Sequence, residues 1–523
     1  MDRKALPCRA YAAAALAVLA LLAATAPRVP ALGQEFIPLE NWSYDAVERF
    51  EALGLCVVPE DRPLTRTEFI ALTDEITRAA FDRRLSARDR YNLERLEKEF
   101  TNFASRTDAQ HRYDPPTFYL QDQPLVLEGD IDIIGAMEKR MQGDDTEFFI
   151  RSNPDFKVHY GDRVTYNVRY RWEYGPEHDA RRDGHKPSAR TRSFRGLTSE
   201  FERSYVIAGW DKVHAFIGRE AVDWGPSDWG NLIVPGEQLT LDQVGARVRL
   251  KALRLSMFHA RLSPLSERWL AGHRLEMRWG KTVIGINETV LYAGKGMESI
   301  YSFPLSSFYG NQFNERNNDD NITWAFDVKT SLFDRLTIYG SLLVDDFQYE
   351  REGDPDKLAF DAGARLALER PLAATVRARY RYVDIFTYTH FDSLTRYISG
   401  EADPAAGDVI LGGMPGPDSD AWRLEADVYP RRNVVVTVGG FGERRGAGND
   451  FRLHTPGTDS NPEFPLPVVE RRLGFSAALT WEFDRNRYAV GEFGYESIEN
   501  IGHVEGADDD GASFRLAIHW EFL

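Results

Sequence analysis

The stretch Ser513–Phe522 alternates without a break, with Phe514, Leu516, Ile518, Trp520 and Phe522 on one beat and Ser513, Arg515, Ala517, His519 and Glu521 on the other. A strand turns successive side chains to opposite faces, so this segment has one apolar face and one polar face. The same beat recurs along the chain. Val164, Tyr166, Val168, Tyr170 and Trp172 alternate with Thr165, Asn167, Arg169 and Arg171, and Leu275, Met277 and Trp279 with Arg274, Glu276 and Arg278. Ile322, Trp324, Phe326 and Val328 alternate with Thr323, Ala325 and Asp327, and Val376, Ala378 and Tyr380 with Arg377, Arg379 and Arg381. Trp422, Leu424, Ala426 and Val428 alternate with Arg423, Glu425 and Asp427. Any one of these segments fits a half-buried strand of a soluble sheet. A soluble sheet does not need so many charges on its polar face, so the repetition predicts an all-β transmembrane antiparallel β-barrel with lipid outside and a wet, charged lumen. Aromatic residues, 12% of the chain, recur near segment ends, where two membrane interfaces would lie.

The chain ahead of these strands reads differently. Arg3, Lys4 and Arg9 precede the uncharged run Tyr11–Ala26 and the small-residue site Ala31-Leu32-Gly33, which reads as a signal peptide over 1–33, with a signal anchor as the rival. Trp42, Ala46, Val47, Phe50 and Leu53 then recur at helical steps, with Gly54 as a C-cap. Thr65 and Glu68 make a capping box for a second helix carrying Phe69, Leu72, Ile76 and Ala80. Ser86 caps a third, with Leu93, Leu96, Phe100 and Phe103 as its apolar positions. The predicted organisation is a leader (1–33), a small α-helical domain in the periplasm (34–120) and an outer-membrane barrel (121–523) of a diderm bacterium. At roughly 22 residues per strand with its share of turn and loop, the barrel holds about 18 strands, or 16 as the alternative. The polar insertions 175–196, 351–357, 392–420 and 444–467 fit outward loops, and 429–433 and 483–487 fit short turns on the opposite side.

The chemistry is sparse. A formal charge of −17 argues against nucleic acid as a partner. Cys56 is the one cysteine outside the expected leader, so no internal disulfide is expected. No hydrolase, zinc-protease or paired-cysteine motif is present, and neither an enzyme activity, a cofactor nor a metal is expected. Asn317–Asn321 and Asp508–Asp510 read as solvated loop ends, and Gly440-Phe441-Gly442 as a strand-end loop. The most distinctive cluster is Arg219, Asp223, Trp224, Asp228 and Trp229, because indole faces stack on sugar rings while carboxylates and guanidinium groups fork hydroxyls and uronates. Asp345 and Asp346, at a strand end, are further candidates for the same contact. The bland alternative is that Trp224-Gly225-Pro226 is a structural turn and that Arg219 pairs with a lumen carboxylate.

Order and character of several landmarks resemble the Wzi-type capsule-assembly family of outer-membrane proteins. The landmarks are the Gly218-Arg219 strand running into Trp224-Gly225-Pro226, then His273-Arg274-Leu275-Glu276, Ile286–Tyr292, Asn317–Asn321 and Leu336–Phe347. The resemblance implies an 18-stranded barrel with helices at its periplasmic mouth and a non-catalytic role in organising capsular or extracellular polysaccharide. Separately, Trp42, Tyr44, Leu53-Gly54-Leu55 and Thr65-Arg66-Thr67-Glu68 resemble a single S-layer-homology module, which would make Thr65, Arg66 and Glu68 candidates for binding peptidoglycan or another wall polymer. The competing function is a passive porin whose helical domain tethers the outer membrane to the cell wall.

Overall fold

The computed structural model of the chain describes residues 34–521 except 101–114, 123, 141–145, 175–196, 211, 235, 237–238, 313–319, 347–355, 404–407, 449–461 and 485–486. The expected leader, Phe103, the loop 175–196, Asn317–Asp319 and Phe522 therefore lie outside the described residues.

Eighteen long strands close into one antiparallel barrel. They are β1 (Leu125–Arg140), β2 (Thr146–Tyr160), β3 (Val164–Tyr174), β4 (Leu197–Gly209), β5 (Val213–Ala221) and β6 (Thr240–Leu250). Next come β7 (Leu253–Ser263), β8 (Arg268–Trp279), β9 (Thr282–Tyr292), β10 (Asn321–Leu332), β11 (Leu336–Asp346) and β12 (Lys357–Leu368). The last six are β13 (Ala374–Val383), β14 (Ser419–Arg431), β15 (Val434–Arg445), β16 (Glu470–Asp484), β17 (Arg487–Glu499) and β18 (Asp509–Glu521). Each pairs with the next, and β18 returns to β1, with Ser513 opposite Arg140 and Glu521 opposite Asp132. The short strand Phe118–Asp122 continues that seam along the start of β1. Closure leaves no sheet edge, as lipid requires of a spanning sheet.

The alternation read from the sequence sets the two faces. In β10, Thr323, Ala325, Asp327 and Lys329 are buried inside, while Phe326 and Val328 stand 42% and 45% exposed outside. Phe514, Leu516, Ile518 and Trp520 of β18 share the outer face. Two expectations are corrected. Asp320 and Asn321, expected at a solvated loop end, are buried, Asp320 accepting from the Tyr301 hydroxyl at 2.6 Å and Asn321 donating to the Thr395 carbonyl at 2.8 Å. Gly440-Phe441-Gly442 lies within β15 and is not a strand-end loop. Gly442 sits opposite Trp422, whose indole occupies the space a Cβ would take, 2.4 Å from Nε1.

At the short-turn end sits a helical unit of α1 (Trp42–Ala52), α2 (Arg66–Ala80) and α3 (Ala87–Phe100). The Thr65–Glu68 capping box forms as expected, and Gly54 follows α1 with φ +74°. Phe50, Phe69, Ile76, Leu96 and Phe100 make its core, with the Phe69 and Phe100 rings stacked at 4.9 Å. Charges dock the unit onto widely spaced strands. Arg49 donates to the Ala374 carbonyl at 2.6 Å, and Arg88 to the Arg432 carbonyl at 2.6 Å. Lys329, inside β10, reaches Glu51, Glu60 and the Val58 carbonyl. Glu68 meets Arg254 of β7.

A second element lies on the outer wall. Residues 293–312 fold back over β7–β10, carrying a 3₁₀ turn (Ser299–Ser302) and α4 (Phe308–Gln312). Tyr301 and Phe308 pack on Trp269, Ala271, Val290 and Tyr292. Beneath this flap is Glu288, which shares the outward parity of Ile286 yet is buried. It accepts from the Phe308 and Tyr309 N–H groups at 3.0 Å each and from Trp324 Nε1 at 2.9 Å, with His273 Nε2 3.1 Å away. A carboxylate facing lipid is unfavourable, and the flap supplies the donors that lipid lacks.

Two outcomes follow from these contacts. Glu288→Ala strands two backbone donors and an indole at about 1–3 kcal/mol for each unsatisfied group, so protease should cut within 294–312 of the variant and spare the parent. For the helical unit, burial raises the Glu35 carboxyl, but Arg66, His159 and Lys157 together outweigh it and hold the pKa at about 2 against an ordinary 4.5. Glu68, likewise buried, is held well below its ordinary range by Arg254 and Arg249. Both pKa values are depressed, so their stabilisation is complete above the unfolded value and is lost as pH falls below about 4.5 toward 2. Proteolysis at pH 3 should therefore release the helical unit before the barrel opens, and at pH 7 should release neither.

Candidate functional site

Between β5 and β6 the chain turns into the lumen. Its first residues, Asp223 and Trp224, pair with Arg62 and Asp61 of the helical unit in a two-residue antiparallel sheet. The Gly225 N–H donates to the Glu60 carbonyl at 3.0 Å, and Trp224 Nε1 donates to Asp61 Oδ1 at 3.0 Å. Gly225 has φ +134°, and a Cβ there would meet Asn231 Oδ1 at 2.4 Å, so glycine is needed where the strand end bends inward. Asn231 fixes the turn by donating to Asp223 Oδ1 at 2.7 Å and accepting from the Ser227 N–H at 3.0 Å.

The tip of this loop meets a row of lumen arginines on β12, β13 and β14. Asp228 lies 2.6 Å from Arg379 Nε, 3.0 Å from Arg365 Nη2 and 3.5 Å from Arg377 Nε. Burial would raise its pKa, but the three guanidinium groups hold it well below the ordinary carboxylate range. Asp223 goes the other way, pushed up to about 6 by burial that Arg62 and Asn231 only partly offset. Arg381, fully buried, pairs with Asp361 and donates to the carbonyls of Trp229 at 3.3 Å and Gly230 at 2.5 Å. The Trp229 ring carries Arg381 at 4.9 Å and Arg423 at 4.2 Å from its centroid.

A second inward segment, 384–418, covers the first. Tyr388 and Tyr397 donate to the Leu232 and Ile233 carbonyls at 2.6 and 2.9 Å. Arg268 at the start of β8 anchors this segment without a carboxylate, donating to the carbonyls of Leu394, Arg396, Ile398, Ser399 and Gly400 at 2.5–3.1 Å. Helical unit and inward segments together fill the lumen beside β5–β13. Beside β14–β18 the inner face reaches water, with Arg423 exposed and Glu425, Glu492 and Arg515 partly so.

The structure brings Asp223, Trp224, Asp228 and Trp229 into this one loop. It places Arg219 on the other side of the wall, where it shares the outward parity of Ile217 and pairs with Asp242 at 2.7 Å. Trp224 is 3% exposed and packs on Phe258, so its faces are already used. Asp345 accepts from the Tyr388 N–H at 2.7 Å and from Thr323 at 3.2 Å, which anchors the second segment. Asp346 ends β11 opposite Lys357. Thr65, Arg66 and Glu68 are buried: Thr65 caps α2, Arg66 pairs with Glu35 and Glu99, and Glu68 meets Arg254. Sequence reasoning missed the partners Arg365 and Asp361 and the anchor Arg268. It also left Arg423 as one lumen charge among many.

No known family pattern and no curated protein matches the sequence. The structure superposes on that of Wzi, an outer-membrane protein involved in group 1 capsule assembly in Escherichia coli and described as a carbohydrate-binding β-barrel. The match has a TM-score of 0.60 at 11% identity and covers 93% of this chain and 99% of that one. OprD from Pseudomonas aeruginosa matches at a TM-score of 0.43 and 10% identity, over 75% and 93% of the two chains. OccAB4 from Acinetobacter baumannii matches at 0.45 and 9%, over 78% and 99%. At these identities the likeness is one of fold, that of an outer-membrane β-barrel.

Asp228→Ala removes the carboxylate shared by three arginines. Breaking a buried ion pair on one side costs about 3–5 kcal/mol, so urea unfolding of the folded barrel should show a drop of that order. Arg219→Ala, outside the wall, should leave stability within about 1 kcal/mol of the parent.

Proposed function

We propose that this protein organises or attaches capsular or extracellular polysaccharide at the cell surface and catalyses no reaction, with the short-turn end and its helical unit facing the periplasm. The observation that carries the reading is the occupied part of the lumen, beside β5–β13. A passive porin needs a continuous wet path, whereas here two inward segments and a helical unit are tied to the wall by buried ion pairs. Among the described residues, what remains open is a partial lumen lined by Arg423, Glu425 and the half-buried Trp229. Flat aromatic surface beside forked donors and acceptors suits a glycan better than a diffusing ion. Likeness of fold to a carbohydrate-binding barrel supports the same reading. Within it, Asp228 and Trp229 are the sequence-derived candidates left with surface to offer. Asp223, Trp224 and Asp345 shape the loops, and a wall tether through Thr65, Arg66 and Glu68 is not part of the reading because those groups are spent inside the chain.

The test pairs two measurements on detergent-folded protein: binding of the host's own surface polysaccharide and conductance in a planar bilayer. Saturable binding, weakened about tenfold by Trp229→Ala (about 1.4 kcal/mol), together with little steady conductance, is the expected outcome. Ohmic conductance without polysaccharide binding would overturn the reading in favour of a porin.

A further inference from the structure

Arg423 is placed unlike the arginines around it. Arg365, Arg377 and Arg379 share Asp228, and Arg377 also holds Glu425 and Asp427 at 2.6 and 2.7 Å. Arg381 has Asp361. Among the described residues Arg423 makes no ion pair. It sits directly opposite Arg379 in the β13–β14 register, a like-charge pair across neighbouring strands. Such a pair is destabilising unless an anion lies between or beside the two groups. Arg379 has its anion in Asp228, whereas Glu443 and Glu425 act on Arg423 only from beyond ion-pair distance, and its close neighbours are rings, with Trp229 at 4.2 Å and Phe441 at 6.0 Å from the guanidinium carbon.

The rings orient the guanidinium group without neutralising it. The guanidinium group lies over an indole, and the side chain is exposed on the solvent-reaching side of the lumen. A held, unpaired guanidinium group is a receptor for a planar anion, and a carboxylate matches its fork with two parallel hydrogen bonds. Trp229 beside it carries two guanidinium groups yet is only half-buried, and the ring surface that stays accessible suits the C–H groups of a pyranose. We propose that Arg423 and Trp229 form a subsite for an acidic sugar, with Arg423 taking the carboxylate of a uronic acid residue and Trp229 taking its ring. This deepens the polysaccharide reading and rests on it.

The test uses the full detergent-folded chain with two probes of equal length, an oligogalacturonate and a neutral dextran oligomer, and follows tryptophan fluorescence. Expected is a preference of about tenfold for the oligogalacturonate, the worth of one charge-assisted hydrogen bond. The preference should weaken with salt. Arg423→Gln should abolish it, while Arg471→Gln, an outward-facing arginine paired with Glu499, should preserve it. Heat-shifted migration on a gel confirms that each variant is a folded barrel. Equal affinity of the parent for both probes, or a preference that survives Arg423→Gln, would overturn the acidic-sugar subsite and leave the polysaccharide reading standing. Binding of neither probe, nor of the host polysaccharide, would overturn both.

Discussion

A backbone N–H or C=O group has no partner in hydrocarbon, and every other feature of this molecule follows from satisfying that demand. The β18–β1 seam removes the last free edge, and once it forms there is an inside and an outside. Outside, the strands carry Leu, Ile, Phe and Trp. A buried exception obeys the same rule: Glu288 points outward and the flap brings it hydrogen-bond donors. Inside, the chain has to fill or wet a space wider than its side chains can span.

Beside β5–β13 it fills that space largely with charged groups. Arg274, fully buried, takes Asp327 with two bonds at 2.6 and 2.9 Å, and Asn287 at 2.8 Å. Buried ion pairs return little net stability against an apolar alternative, because desolvation consumes most of the attraction. What they give is position. Each guanidinium group accepts only a few geometries, so the inward loop, the helical unit and the wall share one register. Arg268 does this with carbonyl oxygens alone, which fixes the path of 394–400 through its backbone.

The strands were legible because period two is visible over five residues. Segments around Arg169, Arg274, Asp327, Arg377 and Glu425 all turned the expected face inward. So were the helix caps at Thr65 and Gly54, whose chemistry is local. Length left strand number at about 18 with 16 as the alternative, and the family resemblance pointed to 18. The site was legible only in part. Trp224-Gly225-Pro226 announces a bend, but nothing local says that the bend turns into the barrel, because the residues that receive it lie on β12–β14, more than a hundred positions away. Arg219 was grouped with its sequence neighbours, although its parity with Ile217 puts it on the outer face. Glu288 carried a readable signal: an acid on the beat of Ile284, Ile286 and Val290 breaks an apolar face and so requires a cover.

The two-residue sheet between Asp61–Arg62 and Asp223–Trp224 has a consequence for assembly. It joins a segment that enters from one rim to a segment that enters from the other, in the middle of a tube whose wall is continuous. The helical unit also touches β7, β10, β13 and β16, which are far apart around the circumference. Its contacts gauge the girth of the ring. The seam strand β18 follows all of these in the chain, so the interior can be laid down on an open, curling sheet before the seam closes around it. Insertion would then deliver a vessel already packed, rather than an empty one filled afterwards.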